Sequence, residues 1–297
     1  MLKEWLLGML ANRGCSRPDG RWLYAYRLLS SEYDSLRECL WEATRTTGVS
    51  TLARRNKYFA PLFVLYAAEW WRREYEGGPW KWGPILASLE VEKDELPPNE
   101  RSGAVLEGFA FWGLRPASEG KRYFGAVVAH GGLPLKLIGH GGSRLAAVMG
   151  TVLRQAARYG WGESQVVDAV ADHAPAMPES LRRDEVFRLL ASMVLTTLDL
   201  KARHQLGGVL DPIERLDNAD PDWREEYPLQ IDDSAAVQLL TSMVKVASQA
   251  STEQGAVAVF QVVRSLSYSD LGEWRLESRV VHSAVASADA LAQQFGL

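Results

Sequence analysis

Apolar positions recur at helical spacing over most of the chain. Leu2, Trp5, Leu6, Met9 and Leu10 share one face of a first, amphipathic helix. Ser31 followed by Asp34 reads as a capping box with Asp in place of the usual Glu or Gln, and Tyr33, Leu36 and Leu40 continue on one face of a helix ending near Gly48. The next helix is predicted from Leu52 to Tyr75. It is apolar almost all round (Phe59, Leu62, Phe63, Leu65, Tyr66, Trp70), the mark of a buried helix. Pro61 should kink it or mark its first turn, and Gly77, Gly78 and Pro79 end it.

Residues 88–103 are acidic and contain Pro97 and Pro98, which predicts a loop and a boundary. The pattern then changes. Ala104–Leu114, Tyr123–Ala129 and Leu133–Ile138 are rich in β-branched, aromatic and glycine residues, predicting a small antiparallel sheet with turns at Pro116–Gly120 and Gly131–Gly132. Helical periodicity returns from Ser143 (Leu145, Val148, Met149, Val152, Leu153), over Glu163–Ala171, and from Val186 to Leu198. Asp211–Asp233 reads as an acidic connecting loop with a helical turn, and Asp233 as the cap of a helix carrying Val237, Leu240, Met243, Val244 and Ala247. Val257–Arg264 and Glu273–Val281 predict a terminal hairpin, and Ser283–Phe295 a last helix. The fold expected is therefore α+β and mainly helical. It has a helical part over 1–100, a small antiparallel sheet over 101–142, a second helical part over 143–250, and a hairpin with a helix over 251–297. The abrupt ending predicts continuation into a further domain.

Bulk composition fits such a body. The chain has 297 residues, 47% of them hydrophobic, enough for a sizeable core. Charged residues make up 24% and the net charge is −4, so the chain is neither disordered nor a generic basic nucleic-acid coat. The two cysteines, Cys15 and Cys39, form no CxxC pair, which points to a reducing cytosol and a cytoplasmic protein. No apolar run reaches the roughly 18 residues that a membrane span needs.

Chemistry is sparse. The densest feature is Tyr58–Leu86, where Trp70, Trp71, Trp80 and Trp82 surround Arg72 and Arg73. With Arg54, Arg55, Lys57 and Tyr58 it interleaves bases and aromatics, as a surface for a partner or for single-stranded nucleic acid would. The simpler reading is an aromatic core rimmed by ion pairs to Glu69, Glu74 and Glu76. Gly141, Gly142, Ser143 and Arg144 lie between an expected strand and an expected helix, where backbone N–H groups can meet a phosphate, although the GxGxxG and Walker spacings are lacking. Asp168 and Asp172 are four apart and precede His173, an arrangement that could serve acid–base or metal chemistry but more simply describes a solvated helix face. Leu89-Glu90-Val91-Glu92-Lys93 approaches a nuclease Glu-x-Lys tripeptide with the wrong spacing. No cofactor and no metal set is implied.

The run Arg17–Arg27 (RPDGRWLYAYR), the segment Tyr58–Leu86 and the stretch Trp223–Leu229 (WREEYPL) together resemble the N-terminal part of large, poorly characterised bacterial defence-island proteins. The resemblance covers most of the chain and carries no catalytic motif. It implies a non-catalytic binding or scaffold component of an anti-phage assembly, with other protein subunits as partners and DNA or RNA as a further ligand. The alternative is a phosphate-handling hydrolase or nuclease with a site near Gly141–Arg144 and His173, and a third reading is an oligomerisation module.

Overall fold

The computed structural model describes residues 1–114, 123–229, 233–250, 260–268 and 274–282. The body is built from twelve helices among these residues: α1 (Leu2–Asn12), α2 (Ser30–Thr47), α3 (Val49–Arg55), α4 (Phe59–Glu74), α5 (Gly83–Ala87), α6 (Pro98–Phe111), α7 (Tyr123–Gly131), α8 (Leu135–Tyr159), α9 (Glu163–Asp172), α10 (Asp184–Arg203), α11 (Pro212–Ala219) and α12 (Ser234–Gln249).

The long helix expected over Leu52–Tyr75 is two helices. The chain breaks at Asn56, whose Oδ1 accepts from the Tyr58 N–H at 3.0 Å and replaces a helical bond with a local turn. Pro61 falls in the first turn of α4, where its missing N–H removes no helical bond. From Phe59 to Glu69 every residue of α4 is buried, so α4 is the axis of the N-terminal half, with α2, α6 and α7 around it. Gly108 lets α6 cross α4 closely. A Cβ there would lie 2.5 Å from Val64 Cγ2 and 2.6 Å from the Ala60 carbonyl oxygen.

The α+β class with a small antiparallel sheet over 101–142 is corrected. Ala104–Leu114 lies mostly in α6, Tyr123–Ala129 in α7, and Leu133–Ile138 leads into α8. Short apolar runs do not by periodicity alone distinguish a buried strand from a buried helix. Residues 124–135 are buried without a break, so no polar side marks the helical period. The turn expected at Pro116–Gly120 and the helix expected at Ser283–Phe295 lie outside the described residues. β1 (Phe260–Tyr268) and β2 (Trp274–His282) pair antiparallel, Phe260 opposite His282 and Tyr268 opposite Trp274. A two-stranded ribbon is not the packed sheet layer that the α+β class requires.

The second half packs α8 against α12 and α10 against α9, α12 and α8. Asp233 caps α12 as its sequence position predicts, accepting from the Ala235 and Ala236 N–H groups at 3.0 Å each. The acidic stretch from Asp211 contains α11, capped by Asp211 through the Glu214 N–H at 3.0 Å, and a 3₁₀ turn over Trp223–Glu226. The Ser31 capping box is also corrected. α2 begins at Ser30, and the Glu32 carboxylate accepts from the Leu29 N–H at 2.8 Å. No described helix is long and apolar enough to cross a membrane.

Candidate functional site

The aromatic–arginine region divides into an interior part and an outer part. Trp71 is fully buried, donates from Nε1 to the Gly132 carbonyl at 2.8 Å, and packs tilted against Tyr75 (4.2 Å between centroids) and edge-to-face with Trp80 (5.3 Å) and Phe124 (6.2 Å). Trp70 is half-buried against the same core. Arg72 is 1% exposed, as is Glu69, and donates from Nη2 to Glu69 Oε1 at 2.5 Å and from Nη1 to the Tyr24 carbonyl at 3.1 Å. Arg73 donates from Nε to Glu69 Oε2 at 2.9 Å, reaches the Leu28 carbonyl and Ser30 Oγ, and lies over the Tyr33 ring at 5.3 Å. Arg72 and Arg73 hold α4 to the segment preceding α2, and Trp71 holds it to Gly132 after α7.

Arg54, Arg55 and Lys57 are exposed at the far end of this region. Arg54 pairs with Glu100, and Lys57 sits over the half-buried Tyr58 ring at 5.2 Å. Eleven residues of helix, about 16 Å at 1.5 Å per residue, separate Phe59 from Trp70, so the two groups do not form one surface.

Gly141, Gly142, Ser143 and Arg144 lie in the second and third turns of α8 rather than at its N-terminus. The orphan N–H groups of a helix lie in its first turn, here Leu135 to Leu137, since the Ile138 N–H already donates to the Pro134 carbonyl at 3.2 Å. Ser143 and Arg144 are exposed. Asp168 and Asp172 are exposed on α9, and His173 is the half-buried residue at its C-cap. No three His, Cys, Asp or Glu side chains among the described residues are grouped so as to hold a metal ion.

A polar site that sequence reasoning missed lies at Arg27. Arg27 takes a left-handed backbone conformation (φ 48°, ψ 59°) at the end of the 3₁₀ turn Leu23–Tyr26. Single non-glycine residues reach this region at a cost of about 1–2 kcal/mol. The turn carries its guanidinium to Trp223–Leu229, where it donates to the carbonyls of Glu225 (2.5 Å), Tyr227 (2.6 Å) and Leu229. Burial, followed by the neighbouring Arg72 charge, pushes the Arg27 pKa down. Around it, the Leu133 N–H donates to the Pro228 carbonyl at 3.0 Å. Gly132 (φ 84°) is required there, since a Cβ would lie 2.8 Å from that same oxygen. The receiving loop is itself fixed: Tyr227 Oη meets Thr197 Oγ1 at 2.8 Å, Trp223 Nε1 donates to Asp217 Oδ1 at 2.8 Å, and the Arg224 guanidinium lies 4.4 Å from the Trp223 ring centroid. The only signal in the sequence was that Arg17–Arg27 and Trp223–Leu229 are the two outer segments of the resemblance; nothing in either says that they touch.

Residues 1–133 match the YjiT N-terminal domain, and residues 140–256 match the YjiT second domain. The chain belongs to the YjiT family. The protein YjiT of Escherichia coli (strain K12) is 31% identical over 253 residues, covering 82% of this chain and 47% of that protein. The chain therefore spans about half the length of this YjiT relative. No solved structure matches. In YjiT terms, Arg27 and Gly132 lie in the first domain and Glu225–Leu229 in the second, so the guanidinium crosses the seam between two family domains.

Proposed function

We propose that this chain is a non-catalytic binding and scaffold module, the rigid front half of a longer YjiT-type protein, and that it serves as a component of a prokaryotic anti-phage assembly. The observation that carries the reading is the Arg27 seam. This buried guanidinium is directed at backbone carbonyls and joins two domains. Its charge is spent on holding a frame, as in a module that presents surfaces to partners. The span of about half the E. coli relative fits a part that works attached to further domains. The defence role rests on the resemblance of Arg17–Arg27, Tyr58–Leu86 and Trp223–Leu229.

Tagging the protein in its native host, recovering it during phage challenge and comparing plaque counts with a deletion strain tests the proposal. Stoichiometric co-purification of the same protein subunits, with more plaques in the deletion strain, is the expected result. A solitary protein with unchanged plaque counts overturns it. So does metal-dependent cleavage abolished by His173→Ala, which would move the function to the hydrolase site.

A further inference from the structure

We infer that the turn after α10 and the outer face of α11 dock a basic amphipathic helix of a partner protein, with Leu210 as the apolar anchor. The inference deepens the scaffold reading and rests on it, since it names a surface that such a module presents.

The anchor is the first observation. Leu210 is 104% exposed, while the next most exposed large apolar side chain among the described residues, Leu29, reaches 64%. Leu210 does not sit on a loose loop. Leu206 and Pro212, on either side of it, are buried. The Leu206 N–H donates to the Lys201 carbonyl at 3.0 Å, the Gly208 N–H crosses to the Ser248 carbonyl of α12 at 3.1 Å, and the Val209 N–H returns to the Leu206 carbonyl at 3.2 Å. Immediately after Leu210, Asp211 caps α11. A backbone held on both sides keeps the side chain outward. Burying a leucine is favourable in proportion to its apolar area, and none of that gain is taken within the chain. A partner that covers an anchor already fixed in place loses less ordering entropy on binding.

The second observation is the groove beside it. An open groove of about 560 Å³ lies between this turn and α11, with Val209, Leu210 and Ala219 as apolar lining and Asp211, Glu214 and Arg215 among the polar lining. Glu214, Arg215 and Ala219 fall on one face of α11, one turn apart, while Leu216 is buried on the other. An apolar anchor beside a shallow groove along a helix accepts the apolar stripe of a second helix.

Charge selects the occupant. From Asp211 to Glu226 the chain carries seven acids against two arginines. Asp217 pairs with Arg224, and Asp220 and Glu226 pair with Arg203. Asp211, Glu214 and Asp222 are exposed and in no ion pair among the described residues. Arg215 donates from Nε to the His204 carbonyl at 2.8 Å. The surface thus has an apolar centre and an acidic surround. A second copy of the chain would bring the same carboxylates against one another, and a nucleic acid would bring phosphates against them. A helix with an apolar stripe flanked by lysines or arginines satisfies both the leucine and the acids.

Anisotropy of the full 297-residue chain with three labelled peptides tests this inference. One is a Lys–Leu peptide with leucines at helical spacing, one a scramble of the same composition, and one a Glu–Leu peptide with the same leucine positions. The Lys–Leu helix should bind most tightly and weaken with salt, and the Glu–Leu peptide should not bind. Leu210→Ser should weaken the Lys–Leu helix by about 10- to 100-fold. Leu210→Met should keep wild-type affinity, and Glu214→Lys should weaken binding by about threefold or more at low salt. Leu7→Ser, at a leucine 44% exposed on α1, should change nothing. Leu210 and Glu214 are both exposed, so thermal midpoints should stay at the wild-type value. No binding of the Lys–Leu helix at low salt, equal binding of the scramble, or affinity indifferent to Leu210→Ser each overturns the inference. So does a concentration-dependent dimer that Leu210→Ser abolishes in sedimentation, which would assign the face to a second copy. Leu210-dependent peptide binding alongside unchanged plaque counts would keep this surface and remove the defence role. Co-purifying subunits that all survive Leu210→Ser would keep the scaffold reading and remove this surface.

Discussion

Arg27 donates from Nη2 to the carbonyl oxygen of Tyr227 at 2.6 Å across 200 positions of sequence. Removing this side chain leaves the Glu225, Tyr227 and Leu229 carbonyls at the domain seam without their donor. Arg27→Ala should cost about 2–4 kcal/mol in urea unfolding. Arg27→Lys should recover little, because one ammonium cannot span three carbonyls as a planar guanidinium does. Two resolved unfolding transitions in Arg27→Ala would mean that the seam also couples the domains; a wild-type midpoint would remove Arg27 from the account.

Glu69 is the shared acceptor of Arg72 and Arg73. Glu69→Gln leaves the Arg72 guanidinium buried beside an uncharged partner, and a loss of about 3–5 kcal/mol is expected. Replacing both members, as Glu69→Leu with Arg72→Met, should cost less than the two single changes summed. Strict additivity in chemical denaturation would argue against a coupled pair.

Gly108 and Gly103 lie five positions apart on α6 but in opposite surroundings. Gly108→Ala drives a methyl group into Val64 and the Ala60 carbonyl and should cost about 1–3 kcal/mol. Gly103 has open space around its Cα, so Gly103→Ala should stabilise the protein by about 0.5–1 kcal/mol. Thermal midpoints moving in opposite directions are expected, and movement in the same direction would contradict the close crossing of α4 and α6.

Asp19 gives a pH signature. The Arg21 guanidinium, at 2.5 Å from Nη2 to Oδ2, and then the Arg21 N–H hold the Asp19 carboxyl down to about 2. A carboxyl depressed in the folded state stabilises fully above its unfolded pKa of about 4, and that contribution is lost as pH falls towards 2. Asp19→Asn should therefore flatten the acid limb of stability between about pH 4 and 2 and leave the slope at neutral pH unchanged. Stability curves of equal acid slope would exclude the pair.

Much of the helical body could be read from the sequence, and the places where reading failed have a common cause. Local rules located α1, α2, α9, α10 and α12, because one buried face and one wet face print the helical period on the chain, and Asp233 capped where its position before an apolar run said it would. They failed over 124–135, where a stretch buried without a break carries no period, at α6, whose buried Ala104, Val105, Gly108 and Phe109 do keep the helical period, and at Asn56, where one side-chain turn divides a continuous apolar pattern. The tryptophans and arginines of α4 were visible as a cluster, but whether they face water depends on what packs over them. Gly132, Tyr24 and Leu28 supply the acceptors that draw Trp71, Arg72 and Arg73 inward.

The sequence by itself determined most of the helical body, the Asp233 cap, the lack of acids in α8 and α12, and the match to two YjiT domains. Tertiary structure alone decided which polar groups meet. Arg27 finds its carbonyls through a backbone turn at positive φ and through packing of elements far apart in sequence, and pairings of that kind leave no periodic trace in the chain.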